Sequence, residues 1–273
     1  MNLNIENKIG NFQPVIFTQD LHIGYKKETI VPEINLKLHK GESLALVGVN
    51  GSGKSTLLKS IVGLLAPIKG QIQVLGSDPG KTPKQIAYLS QFHNSGIILP
   101  LRSVDVVRMG RFANHGLLGK MDSLDEKLIQ ESMERMGISY LADTTLRSLS
   151  GGQQQRVYIA KVLARKADLI ILDEPTAGLD AGGQNLFQQA MQDELCRGAS
   201  LVVATHDIQD ALDCDQTMLL ARKVIALGRG KEVITTEALL EAFGIVFTLN
   251  NQEQQVTILE REHAHEKCDD HNY

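Results

Sequence analysis

The chain has 273 residues, of which 42% are hydrophobic and 22% charged, and its formal net charge is −4. This suits one large globular unit, or a core with a lobe and a small appendage. It argues against a broad nucleic-acid surface, which needs clustered Lys and Arg and a basic isoelectric point. No stretch reaches the ~18 uninterrupted apolar residues of a membrane span. Met1 to Glu6 lacks the basic and apolar regions of a signal peptide, so a cytoplasmic protein is expected. Cys196, Cys214 and Cys268 show no paired framework, as expected of buried or free thiols in a reducing compartment.

In chain order, Val15 to Leu21 and Ile34 to Leu38 are short apolar runs with strand character, and Lys40-Gly41 is a turn signal before a third run, Ser43 to Val47. The segment Gly48-Val49-Asn50-Gly51-Ser52-Gly53-Lys54-Ser55-Thr56 then fills every position of the phosphate-binding loop pattern. Lys54 to Val62 alternates as an amphipathic helix, so the order is strand, glycine loop, helix. The glycines let the backbone curl until successive N–H groups point at a phosphate, and the helix N-terminus adds partial positive charge. Gly48, Asn50, Gly51, Ser52, Gly53, Lys54, Ser55 and Thr56 are therefore expected to bind a nucleotide. Lys54 reaches the β- and γ-phosphates in this pattern, and the Ser55 hydroxyl sits on Mg²⁺.

Gln71 to Leu75 and Ile86 to Ser90 continue a mixed sheet, with Gln91 directly after the second run. Val104 to Gly110 and Asp125 to Met136 are helical, with Leu128, Ile129, Met133 and Met136 on one face, giving a helical insert from about 92 to 149. Strands and helices then alternate, which implies a parallel sheet with crossovers. They are Leu169 to Leu172, Asp180 toward Cys196, Ser200 to Ala204, and Thr217 to Leu227 with a polar break at Arg222-Lys223. The first of these strands ends in Asp173 and Glu174, at the carboxyl edge where ligands of α/β folds bind. Thr236 to Phe243 reads as a closing helix and Val246 to Leu259 as two strands turning at Asn250-Asn251. Beyond Glu260 the chain is polar and expected to be disordered.

About a hundred residues past the phosphate loop stands Leu149-Ser150-Gly151-Gly152-Gln153, ahead of the periodic helix Val157 to Ala164. Two glycines and a serine at a helix start offer N–H groups, a hydroxyl and the helix dipole to an anion, a second phosphate site. Together these segments resemble the nucleotide-binding subunits of ATP-binding-cassette (ABC) transporters, whose signature is this pentapeptide, and the resemblance runs from about Val15 to Phe243. It implies an α/β fold of the P-loop ABC ATPase type, a mixed sheet core with an inserted α-helical subdomain. The cassette would span 12–245, with a strand pair at 246–262 and a His- and Cys-containing tail at 263–273.

The resemblance also implies a homodimer or paired cassette stacked head-to-tail, in which Ser150, Gly151, Gly152 and Gln153 of one subunit close on ATP held by the other. Asp173 would coordinate Mg²⁺ together with Ser55 and Gln91, and Glu174 would be the general base toward the attacking water. Gln91 would sit on the joint between core and lobe, His206 would contact the γ-phosphate, Asp180 would cross the dimer interface, and Tyr25 would stack on adenine. Integral-membrane permease subunits would insert a coupling helix around Phe92 to Phe112, holding the chain at the cytoplasmic face of the membrane. An extracellular or periplasmic substrate-binding protein would act indirectly, and no nucleic acid is implied.

For cargo, Asp105 to Arg111, Arg222 to Gly228, Glu232 to Thr235 and Ala242-Phe243-Gly244 are similar to ATPases of manganese and zinc uptake systems. Siderophore and cobalamin importers are close alternatives, and an exporter motor would share the same hydrolytic core. An ABC ATPase acting on DNA or the ribosome would carry long coiled arms or a second cassette, and neither is present here. Lys161 departs from the arginine more usual after the signature. In the tail, His263, His265, Cys268 and His271 are donors of the kind that hold Zn²⁺, but their unpaired spacings and polar terminal setting favour a solvated segment with incidental ligands.

Overall fold

Leu44 and Leu46 face one side of the central sheet, Ala45 and Val47 the other, and all four are fully buried. Apolar cover on both faces is why this strand reads as a continuous hydrophobic run rather than an alternation. The computed structural model describes residues 13–91, 100–115, 119–244, 246–250 and 255–259.

The elements are β1 (Ile16–Tyr25), β2 (Glu28–Leu38), β3 (Ser43–Val47), α1 (Lys54–Ile61), β4 (Lys69–Val74), β5 (Ile86–Leu89), α2 (Ser103–His115), α3 (Ser123–Arg135) and α4 (Gly151–Ala164). They continue as β6 (Leu169–Asp173), α5 (Ala181–Cys196), β7 (Ser200–Thr205), α6 (Ile208–Leu212), β8 (Gln216–Leu220), β9 (Val224–Gly228), α7 (Gly230–Val233), α8 (Thr236–Phe243), β10 (Val246–Asn250) and β11 (Gln255–Leu259).

Six strands form the core sheet in the order β5-β6-β7-β3-β8-β9, parallel except for β9, which runs antiparallel to β8. Register sets Val47 beside Thr205 and Asp173 beside Ala204, so the phosphate loop, the β6 carboxylates and the residues after β7 emerge along one edge. A separate antiparallel sheet, β2-β1-β4, covers α1 and one face of the core. The polar break at Arg222-Lys223 separates β8 from β9, and Arg222 takes φ 59° there.

This is the expected α/β class, with helices inserted between β5 and β6. Two helices run longer than their apolar periodicity. The first, α2, extends to His115, where Arg111 and His115 lie 2.7 Å from the buried Asp125 of α3. The second, α4, starts at Gly151 because Ser150 and Gln153 form a reciprocal capping box. The hairpin β1–β2 is also longer than its apolar residues suggest, because its turn end is held by backbone pairing from Tyr25 to Glu28. β10 and β11 pair antiparallel, Val246 opposite Leu259. The expected turn residue Asn251 and everything beyond Leu259 lie outside the described residues. No helix among the described residues is long and apolar enough to cross a membrane.

Candidate functional site

The phosphate loop leaves β3 at Val47 and enters α1 at Lys54, with Gly53 as the residue before the helix at φ 112°. The loop has little room for side chains. A Cβ on Gly53 would lie 2.3 Å from Val31 Cγ2, and one on Gly48 would lie 2.2 Å from the Leu220 carbonyl oxygen. Gly51 takes φ 80°, a left-handed conformation that glycine adopts at no steric cost. Asn50 is exposed, whereas Ser52 and Thr56 are buried, and the Ser52 hydroxyl has no partner among the described residues.

Lys54 is 5% exposed, and its ammonium donates to the carbonyls of Gly48 at 2.6 Å and Val49 at 3.2 Å. It also lies 4.0 Å from Glu174 Oε1. Burial pulls its pKa below the ordinary lysine value, against the neighbouring charges of Glu174 and Asp173, which hold the proton on.

Glu174 follows β6 in a left-handed backbone conformation, φ 49°, held by its N–H donating to Ala204 O at 2.9 Å. A non-glycine residue there costs roughly 1–3 kcal/mol and persists only where its surroundings enforce it. Gln91 Nε2 donates to Glu174 Oε2 at 3.2 Å. Asp173 is 2% exposed, and its Oδ1 has no hydrogen-bond partner among the described residues. Burial pushes its carboxyl above the ordinary range, while the nearby Ser55 hydroxyl favours the charged form. A buried carboxylate with a spare lone pair, beside a serine hydroxyl at the head of a helix, is a donor set for a hard cation.

Tyr25 ends β1 and is 43% exposed, its hydroxyl 3.5 Å from Lys59 Nζ. His206 follows β7 and is exposed; on either side of it, the Asp207 N–H donates to Thr205 Oγ1 at 3.0 Å. Asp180 caps α5, its Oδ1 accepting from the Gly183 N–H at 2.8 Å.

Ser150, Gly151, Gly152 and Gln153 form the first turn of α4. Ser150 Oγ accepts from the Gln153 N–H at 3.3 Å, and Gln153 Oε1 accepts from the Ser150 N–H at 2.9 Å. This turn packs on the loop after Glu174. Gln155 donates to the Pro175 carbonyl at 2.7 Å, and a Cβ on Gly152 would lie 2.7 Å from Gly178 O. Gln155 carries no sequence signal of its own, since it stands ahead of the apolar periodicity that begins at Val157 and reads as a solvated glutamine.

The structure thus brings together Lys54, Glu174 and Gln91 as one connected set, with Asp173 and Ser55 beside it. Ser150 to Gln153 form another set, and no hydrogen bond or ion pair joins the two sets among the described residues. Among the described residues there is also no cluster of three or more His, Cys, Asp or Glu suited to a metal ion. His263, His265, Cys268 and His271 lie outside the described residues, as do Phe92 to Leu99 of the expected permease surface.

A glycine loop between a central parallel strand and a helix, facing two carboxylates at the end of another strand, defines a phosphate-loop ATPase. The ABC transporter family pattern matches residues 31–177. The manganese transport system ATP-binding protein MntB of Bacillus subtilis is 34% identical over 81% of this chain and 89% of its own length. The zinc transport system ATP-binding protein TroB of Treponema pallidum is 33% identical over 82% and 85%. Among solved structures, cbiO1 of Clostridium perfringens, part of the ABC transporter complex cbiONQ, superposes with a TM-score of 0.69 at 28% identity, covering 84% of this chain and 94% of that one. The chain belongs to the ABC transporter family and is its nucleotide-binding, ATP-hydrolysing subunit.

Proposed function

We propose that the chain powers import of a divalent metal ion, manganese or zinc, by hydrolysing ATP at two sites between paired cassettes. The Gln91–Glu174 hydrogen bond carries the hydrolytic part of this reading: it places a carboxylate, a lysine ammonium and an amide from the core–insert joint around one point. The manganese and zinc systems among its relatives support the cargo.

Lys54 and the loop N–H groups from Gly51 to Thr56 bind the β- and γ-phosphates, and Tyr25 presents an exposed ring for adenine. Glu174 orients water and takes its proton, a role worth roughly 10² to 10⁴ in rate. His206 steadies the γ-phosphate. Asp173, Ser55 and Gln91 would hold Mg²⁺, which would supply charge neutralisation at the phosphates. Asp173 fits this role because its buried Oδ1 is unpartnered among the described residues.

Ser150, Gly151 and Gly152 offer a capped, glycine-faced helix start to nucleotide held by a second cassette, with Asp180 on the loop that crosses between them. The capping box leaves the first N–H groups of α4 oriented along the helix axis, where an anion is stabilised. The partners are integral-membrane permease subunits at the cytoplasmic face of the membrane and, through them, an extracellular or periplasmic binding protein. The net charge of −4 does not favour a nucleic-acid partner.

Sedimentation of the Glu174→Gln chain with ATP tests the cycle: binding without turnover should hold the cassettes in pairs, whereas a monomer at saturating ATP would overturn the paired sites. Manganese and zinc accumulation by cells carrying that variant tests the cargo.

A further inference from the structure

Helix α5 is tied at both ends to helices of the inserted region. At its leading end, Asp180 caps it, and the preceding loop is held by Gln155 of α4 at Pro175 O and by the close approach of Gly152 to Gly178. At its trailing end stands Arg135, the last residue of α3. Arg135 Nη1 donates to Glu194 Oε1 at 2.6 Å, while Nη2 donates to the Ala190 carbonyl at 2.8 Å and to Asp193 Oδ2 at 3.2 Å. The two residues after Arg135 bring the chain against the same helix: a Cβ on Gly137 would lie 3.2 Å from Leu186 Cδ1.

Glu194 is only 2% exposed, and two further cations share its carboxylate. Lys166 Nζ lies 3.1 Å from Oε1, and Arg197 Nε lies 2.7 Å from Oε2. Both come from segments next to the core strands, Lys166 just before β6 and Arg197 just before β7. Removing the sole partner of a buried charge leaves it uncompensated at high cost. Here the withdrawal of Arg135 leaves Glu194 still paired to Lys166 and Arg197. The bond between α3 and α5 is therefore breakable without stranding a buried charge, and the core end of the cluster stays assembled whichever way α3 moves.

A helix of 16 residues is a stiff rod about 24 Å long. Displacing its trailing end therefore moves its leading end, which carries Asp180. We propose that Arg135 is a positioning residue for ATP hydrolysis: through α5 it ties the position of the inserted helices to the loop Ala177 to Asp180. The inference rests on the paired-cassette reading, in which that loop faces the second subunit. Arg135 touches neither nucleotide nor reacting water, so its removal lowers turnover and leaves nucleotide binding by the single chain intact.

The test compares the full-length wild-type chain with Arg135→Gln and Arg135→Lys. Three readouts are taken: the dissociation constant for a fluorescent ATP analogue, the thermal midpoint, and kcat with KM for ATP. Arg135→Gln should lower kcat by about tenfold or more, as expected when reacting groups are displaced by an ångström or less. Its nucleotide affinity should stay within about twofold, because a loss confined to kcat marks an interaction absent from the bound ground state. Arg135→Lys keeps the charge on Glu194 but not the fork to Ala190 and should recover most of the lost rate. Unchanged kcat in Arg135→Gln overturns the inference. So does a parallel fall of kcat, affinity and thermal midpoint with no recovery in Arg135→Lys, which marks a purely structural residue. Sedimentation of Glu174→Gln separates the two levels: if it fails to pair with ATP, the paired-cassette reading falls and takes this inference with it. If it pairs while Arg135→Gln turns over normally, this inference alone falls.

Discussion

Gln91 Nε2 donates to Glu174 Oε2 at 3.2 Å, so the residue that leaves β5 for the inserted helices is bonded directly to the carboxylate that follows β6. The bond joins two parts of the chain that are 83 residues apart. Any displacement of the inserted helices that pulls on Gln91 is felt at Glu174. Removing the carboxylate charge should cost more than removing the amide. Glu174→Gln is expected to lower ATP turnover by about 10² to 10⁴, and Gln91→Ala by a smaller factor, both with ATP binding retained. Steady-state phosphate release alongside equilibrium nucleotide binding checks both; equal losses from the two substitutions would contradict the assignment of the base to Glu174.

Gly53 holds φ 112° with a Cβ position 2.3 Å from Val31 Cγ2. Gly53→Ala is thus strained both by its backbone and by contact with a fully buried neighbour. A loss of about 2–4 kcal/mol of stability is expected from these effects together. Abolished ATP binding should accompany it, since the loop N–H groups no longer converge. Denaturant unfolding and nucleotide titration measure the two effects.

The Asp125 carboxylate is 1% exposed. Burial raises its pKa, but the Asp122 N–H, Arg111 and His115 outweigh burial and hold it well below the ordinary carboxylate range. A depressed folded-state pKa contributes stability that is fully present above the unfolded value, 3.8, and is lost as pH falls through the lower folded value. Thermal midpoints of the wild type should therefore decline on acidification below about pH 4. Asp125→Asn should lose about 3 kcal/mol at neutral pH, because it leaves Arg111, itself 8% exposed, without its charge partner. The gap between variant and wild type should narrow on acidification, and a gap independent of pH would contradict the ion pair.

Gly152 faces the Gly178 carbonyl so closely that a Cβ would sit 2.7 Å from its oxygen. Gly152→Ala must push the Thr176 to Leu179 loop away from α4, while Lys54 and the phosphate loop are untouched. The expected result is wild-type affinity for ATP in the single chain and turnover reduced by about tenfold or more. A variant with normal turnover would show that this contact has no part in the cycle.

The phosphate loop, the apolar strand ending in Asp173-Glu174 and the Ser150-Gly151-Gly152 turn were legible because each needs residue types that local backbone geometry dictates: glycine where no Cβ fits, and a fully apolar strand where both sheet faces are covered. Helix limits were less so. Periodicity alone begins the signature helix at Val157, but the Ser150–Gln153 capping box sets its start at Gly151. Apolar spacing ends α2 at Gly110, and the buried Arg111–Asp125 contact belongs to its continuation. The cluster around Glu194 left no signal, because Arg135 and Lys166 are 59 and 28 residues away from it and each reads locally as a solvated charge.

In the proposed cycle, ATP hydrolysis by this chain drives metal import. This is tested most directly by the total manganese, zinc and iron content of cells grown in metal-poor medium, with wild type compared against the single substitution Glu174→Gln. A selective fall in manganese or zinc is expected in the variant strain, with the variant produced at the wild-type level. Equal contents of all three metals in the two strains would contradict it.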